Sequence, residues 1–451
     1  MAKLFGTDGV RGVANADLLP EFVLRLARAG TRVIARSSDR TKPIVVGRDT
    51  RLSGPMLEAA VVSGIVSAGR EALVIGVVPT PGVARIVTSI GAAGGIMISA
   101  SHNPVEYNGI KFFGADGFKL DDDLEREVEK ELDREISLPT HDDIGKITQA
   151  GALIDRYTES LLEVGSDLRG LTVVVDGAYG AAVHMVPNIL ERLGARVVAL
   201  HDEPDGSRIN VGCGATELAP LAIRVRELAN EEPHAHVVGV AFDGDADRAL
   251  FIDERAEVVD GDRILLILAR DFAARGSLPD MTVVGTVMSN FGLAQALARD
   301  GITLVRAAVG DRYVLDAMRT GGYILGGEQS GHVIDLGRNT TGDGPMVAVA
   351  VLSFLARTGA RLVDVTRDFV TYPQVLVNVR TEHRDAIMES RVVRMAIDRA
   401  EEELGTTGRI LVRASGTEPL IRVMVEGSLQ TEVERIAHAV ALVIKGLPDP
   451  S

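Results

Sequence analysis

Tryptophan is missing from this sequence, and all aromatics together make up only 4% of it. Stacking on bases or planar rings is therefore not the binding mode this composition supports. Basic residues are also short: 48 Lys plus Arg face 63 Asp plus Glu, a formal charge of −15. Such a surface runs against a nucleic-acid footprint, and an anionic ligand would need cations gathered locally. The single cysteine, Cys213 in Val211-Gly212-Cys213-Gly214, can form no internal disulfide; it reads as structural and fits a reducing compartment. Long hydrophobic runs are absent too. The longest, Met346 to Ala356, is far shorter than the ~20 residues that span a bilayer. The opening residues carry no apolar signal-peptide core, so a cytoplasmic protein without membrane or nucleic-acid partners is expected.

What is present is a chain of 451 residues, too long for one core, in which a pattern recurs three times. Short apolar strands such as Ile44 to Val46, Ile96 to Ile98, Val237 to Phe242 and Tyr323 to Leu325 alternate with amphipathic helices. That alternation predicts α/β domains with parallel sheets, and ligands in such sheets lie beyond the carboxyl ends of the strands. The tail differs. Gln374 to Val379, Val392 to Leu404, Ile410 to Arg413, Leu420 to Val425 and Thr431 to Ile444 follow a strand-helix-strand-strand-helix order. An α+β domain with antiparallel pairing is the expectation there. The boundaries are placed at residues 1–150, 151–255, 256–370 and 371–451, with three similar α/β domains and the α+β domain around a central cleft.

The third strand of each repeat runs into a polar loop. The first gives Ser99-Ala100-Ser101-His102-Asn103-Pro104, with Ser101 as a hydroxyl that needs a base, a metal or prior modification to react. Lys111 lies ten residues on among apolar neighbours, where burial near cations would lower its pKa and suit it to proton transfer. The second loop carries Asp243, Asp245 and Asp247, whose mutual repulsion calls for a hard divalent cation such as Mg²⁺. An EF-hand reading would use Glu254 as the last ligand, but Arg248 occupies the position that must be glycine. The third loop, Gly327-Glu328-Gln329-Ser330-Gly331-His332, offers a carboxylate and a hydroxyl for sugar hydroxyls. In the tail, Arg413-Ala414-Ser415-Gly416-Thr417 has the guanidinium, hydroxyls and glycine of a phosphate cradle, although Ser-Gly-Thr is also an ordinary turn. His234 and His236 precede a strand and read as surface residues.

Together with Phe5-Gly6-Thr7-Asp8-Gly9-Val10-Arg11-Gly12, these loops give the chain a resemblance to the α-D-phosphohexomutase superfamily along its whole length. Ser99-Ala100-Ser101, Gln329 and Gly416 resemble its glucosamine branch. The resemblance implies interconversion of glucosamine 6-phosphate and glucosamine 1-phosphate, on the way to UDP-N-acetylglucosamine. It implies phosphoserine at Ser101, one Mg²⁺ held by that phosphate with Asp243, Asp245 and Asp247, and a hexose 1,6-bisphosphate as activator. It assigns Lys111 and His332 to proton transfer, Arg11 and Arg248 to the reacting phosphate, and Glu328 and Ser330 to the sugar. Arg413, Ser415, Gly416 and Thr417 would hold the other phosphate. A homodimer is compatible with it. Two rival readings stay open: a phosphoglucomutase/phosphomannomutase, and a sugar-phosphate-binding protein without catalysis.

Overall fold

The computed structural model of the chain describes residues 4–6, 8–135, 137–415 and 419–447. The chain divides into two compact units, residues 1–286 with 307–366 and residues 287–306 with 367–451.

The larger unit holds three sheets, mixed but mainly parallel, as the strand-helix alternation predicts. In the first, Gly94–Ile98 lies at the centre with every residue buried. It runs parallel to Ile44–Arg48, which runs parallel to Ala72–Val77. On its other side Tyr107–Gly114 returns antiparallel, and Val10–Val13 pairs antiparallel with that return strand. The return is a finding beyond the sequence pattern. It places Lys111 on a strand directly opposite Met97 and Arg11 opposite Gly109, so both cations flank the Ser101 loop. Helix Pro20–Ile34 starts with proline in its first turn, where a missing N–H costs nothing, and buries Val23, Leu26, Ala27 and Val33 against this sheet.

The second sheet has Leu171–Asp176 flanked in parallel by Arg196–Leu200 and His236–Phe242. A short antiparallel strand, Ala249–Ile252, folds back on the last of these. The aspartate loop is thus the turn of a hairpin at the carboxyl edge. In the third sheet Thr282–Thr286 pairs in parallel with Leu325–Gly327, and Val333–Asp335 returns antiparallel. The middle strand starts at Leu325 rather than at Tyr323, because helix Asp311–Gly321 ends on Gly322 with φ 71°, and the next residues complete that turn.

In the smaller unit Leu420–Gly427 is central, antiparallel to Gln374–Arg380 on one side and Gly408–Ala414 on the other. Helices Arg391–Leu404 and Gln430–Lys445 pack Val393, Leu404, Val433, Ile436 and Val440 on Ile421, Val423 and Val425. Helix Phe291–Arg299 belongs to the same unit, its Phe291 ring edge-on to Tyr372 at 5.1 Å.

Candidate active site

Ser101 follows a fully buried strand, so its backbone is fixed on the near side by the sheet. The far side is held by Arg51, a fully buried guanidinium. Its Nη2 donates to the carbonyls of Ser101 at 2.8 Å and Asn103 at 2.7 Å. Its Nη1 donates to those of Pro104 at 2.6 Å and Tyr107 at 2.9 Å. Asp49 neutralises it, accepting from Arg51 Nε at 3.0 Å and from Ser99 Oγ at 2.7 Å. Ser99 Oγ in turn accepts from the Ser101 amide at 2.9 Å. Held this way, Ser101 adopts φ 52°, a left-handed conformation that a non-glycine residue keeps only when its surroundings enforce it. Its Oγ donates to Asp243 Oδ2 at 2.6 Å and lies 3.2 Å from His102 Nδ1.

Asp243, Asp245 and Asp247 are all buried, with carboxylate oxygens within 4.8 Å of one another. Burial, and then repulsion from Asp247 and Asp245, pushes Asp243 up to about 8. Asp245 Oδ1 and Asp247 Oδ1 are buried without a hydrogen-bond partner. An oxygen-only set with buried, unsatisfied lone pairs is the donor chemistry of a hard divalent cation, so these residues fit a metal.

Lys111 corrects the sequence expectation. Its Nζ is 2.8 Å from both Asp245 Oδ2 and Asp8 Oδ2 and 3.8 Å from Asp247 Oδ2. Burial alone would lower its pKa, but these carboxylates outweigh burial and hold it at about 12. The neighbours are anions, not the cations expected, so Lys111 stays an ammonium. Asp8 is shared with Lys119, whose Nζ reaches Asp8 Oδ1 at 2.5 Å and Asp311 Oδ2 at 2.6 Å. His332, buried, has Nδ1 3.6 Å from Asp247 Oδ2 and Nε2 3.9 Å from Asp311 Oδ2. Burial opposes protonation there, yet the two carboxylates raise its pKa. Carboxylates and basic side chains thus alternate through Asp245, Lys111, Asp8, Lys119, Asp311, His332 and Asp247.

A cavity of about 400 Å³ opens over this network, lined by Arg11, Ser101, His102, Arg248, Glu328 and His332 among others. Arg11 Nη1 donates to Asn103 Oδ1 at 2.7 Å, and Arg11 pairs with Asp8. Glu328 Oε1 accepts from the Gly310 amide at 2.9 Å. Gly331 turns the third loop at φ 91°, where a Cβ would meet the Ala249 carbonyl at 2.5 Å. Of the expected site residues of this unit, Lys111, Asp243, Asp245 and Ser330 do not line this cavity; Lys111 lines an adjoining one of about 310 Å³. In the smaller unit Arg413 stands opposite Arg422 across the strand pair, and Ser415 is buried. Burial and then Arg422 lower the Arg413 pKa. Gly416 and Thr417 lie outside the described residues.

Two further outcomes differ from the sequence reading. His236 is half-buried with Nε2 2.9 Å from Glu254 Oε1, an acid eighteen residues away in sequence that the hairpin brings beside it. Arg51, Asp8, Lys119 and Asp311 were not among the expected site residues. The polar run Arg48-Asp49-Thr50-Arg51 after a buried strand was the available signal for the first.

Models of the four phosphoglucomutase/phosphomannomutase domains match this chain: α/β/α domains I, II and III over residues 2–138, 155–257 and 260–372, and the C-terminal domain over 376–443. The chain belongs to the phosphoglucomutase/phosphomannomutase family. Within it, a phosphoglucosamine mutase of Symbiobacterium thermophilum is 49% identical over 449 residues, 99% of each chain. One of Moorella thermoacetica is 48% identical over 451 residues, 99% of this chain and 100% of that one. A solved phosphoglucomutase/phosphomannomutase family protein of Burkholderia thailandensis shares the fold at TM-score 0.81 and 24% identity, over 98% of this chain and 97% of that one. So does Aspergillus fumigatus N-acetylphosphoglucosamine mutase, solved with GlcNAc-6P and magnesium, at TM-score 0.65 and 18% identity over 98% and 95%.

Proposed function

We propose that this chain is a phosphoglucosamine mutase, interconverting glucosamine 6-phosphate and glucosamine 1-phosphate through phosphoserine at Ser101 and a bisphosphorylated sugar. The observation that carries the reading is the Ser101 hydroxyl, 2.6 Å from Asp243 Oδ2, on the wall of a cavity that Arg11, Arg248, Glu328 and His332 share. Relatives at 48–49% identity that bear that name support the choice of sugar.

In the first half-reaction the bond from phosphorus to Ser101 Oγ breaks and a bond to the free sugar hydroxyl forms. The proton that hydroxyl loses is the one Ser101 Oγ gains, and the second half-reaction reverses the exchange at the other end of the sugar. His102 Nδ1, 3.2 Å from Ser101 Oγ, is placed to carry that proton, and His332 serves the sugar side of the cavity. Lys111, an ammonium beside Asp8 and Asp245, can stabilise charge on the transferring group and donate a proton. Arg11 and Arg248 face the reacting phosphate, and Glu328 with Ser330 takes the sugar hydroxyls. Asp243, Asp245 and Asp247, with the phosphate on Ser101, would hold Mg²⁺, which when bound offsets negative charge on the transferring group. Arg413 and Ser415 of the smaller unit have the donors to bind a phosphate.

A coupled assay on glucosamine 6-phosphate, primed with catalytic hexose 1,6-bisphosphate, tests the reading. Intact mass should show one phosphoryl group on the parent and none on Ser101→Ala, which should be inactive. Parental turnover by Ser101→Ala would overturn the mechanism, and preference for glucose or mannose 6-phosphate would overturn the substrate.

A further inference from the structure

The carboxyl edge of the second sheet carries a second group of ligating side chains. Asp176 ends the strand Leu171–Asp176, and His201 directly follows the parallel neighbour Arg196–Leu200. Cys213 precedes a short helical turn at Gly214–Thr216. One ligand atom from each of the three lies within 4.8 Å of the other two. Asp176 and Cys213 are fully buried, and the His201 side chain is 22% exposed. Asp176 Oδ2 lies 3.0 Å from His201 Nδ1, while its Oδ1 accepts from the Ala178 amide at 3.0 Å. The aspartate triad belongs to the other flank, since His236–Phe242 pairs on the opposite side of Leu171–Asp176.

The two groups differ in donor chemistry. Three carboxylates suit a hard ion; a thiolate, an imidazole and a carboxylate suit zinc or cobalt, which bind such sets far more tightly than magnesium does. We propose that Asp176, His201 and Cys213 form a second metal site, for a borderline divalent ion of the zinc or cobalt type. One carboxylate and one thiolate balance the double charge of the ion, and binding releases the thiol proton to solvent. The exposed edge of His201 is the way in, and water completes the coordination. The occupied site would brace the Ser101 loop: Asn210, three residues before Cys213, donates from Nδ2 to the Ser101 carbonyl at 2.9 Å.

The Asp176–His201 hydrogen bond would form without any metal, so the test must read the thiolate. Cys213 is the only cysteine in the sequence, and any thiolate-to-cobalt charge-transfer band in the near ultraviolet therefore reports this site alone. The full chain, stripped with chelator and returned to excess Mg²⁺, is titrated with Co²⁺. The expected result is one equivalent of Co²⁺ with that band, displaced by Zn²⁺, lost in Cys213→Ser and unchanged in Asp243→Asn. His201→Ala, whose ring is partly exposed, should fold and bind Co²⁺ at least about tenfold more weakly. Absence of the band in the parent chain, or parental Co²⁺ affinity in His201→Ala, would overturn the assignment.

Discussion

Replacing Arg51 with methionine keeps an apolar stem of similar length and removes the guanidinium. Five hydrogen bonds go with it, four to carbonyls of residues 101–107 and one to Asp49. Asp49, fully buried, is left as a charge whose nearest support is the Ser99 hydroxyl. Breaking a buried pair from one side costs about 3–5 kcal/mol. Each orphaned carbonyl could add about 1–3 kcal/mol, but the loop is free to turn some of them to water. A loss of about 4 kcal/mol for the larger unit is therefore expected, a large share of the ~5–15 kcal/mol that holds a domain folded. Arg51→Lys should recover part of the Asp49 pairing but not the fork that grips four carbonyls. Because the same carbonyls fix Ser101, turnover should fall on the order of 100-fold even where the variant is folded, as expected for a displacement of about 1 Å. Urea titration followed by circular dichroism gives the stability, and the coupled mutase assay gives the rate below the transition. Should Arg51→Met lose under about 1 kcal/mol and turn over like the parent, the idea that this residue fixes the serine loop is wrong.

Lys111→Met should lower turnover on the order of 100-fold, the usual effect of removing one preorganised charge, and Lys111→Arg should keep part of it, because the site needs a cation there and not a neutral amine. Glu254 is held down to about 2; burial works against this, but His236 and the Leu362 and Val363 amides outweigh it. A depressed carboxylate stabilises fully above its unfolded pKa of about 4.3 and loses that contribution as pH falls towards 2, so parent and Glu254→Gln should differ by on the order of 3 kcal/mol at neutral pH and converge near pH 2. Thermal melts of both between about pH 2 and 7 check it. Chelation should abolish turnover and added Mg²⁺ restore it, whereas Asp243→Asn should need more Mg²⁺ for half-activation, read from rate against free Mg²⁺.

The loops at the strand ends were legible because their chemistry is local. Three aspartates at alternate positions repel one another wherever the fold puts them, and a serine after an apolar run and before a proline stands at a strand's end in any α/β sheet. The helices and most of the parallel strands were legible for the same reason, since periodicity is a property of neighbours. The return strand Tyr107–Gly114 was not, because it exists as a strand through pairing with partners that a sequence window does not contain. No helix among the described residues is long and apolar enough to cross a membrane, in keeping with the short apolar runs.

By itself, then, the sequence determined which side chains could do phosphoryl chemistry and at which strand ends they sit. The tertiary structure decided their charge states and their supports. Lys111 looked like a lysine among apolar neighbours and became an ammonium between Asp8 and Asp245, 103 and 134 residues from it. Arg51 and Lys119 gained their meaning only once loops of other segments closed around them. A pKa and a buried ion pair depend on what lies within a few ångströms in space, and chain order does not fix that distance.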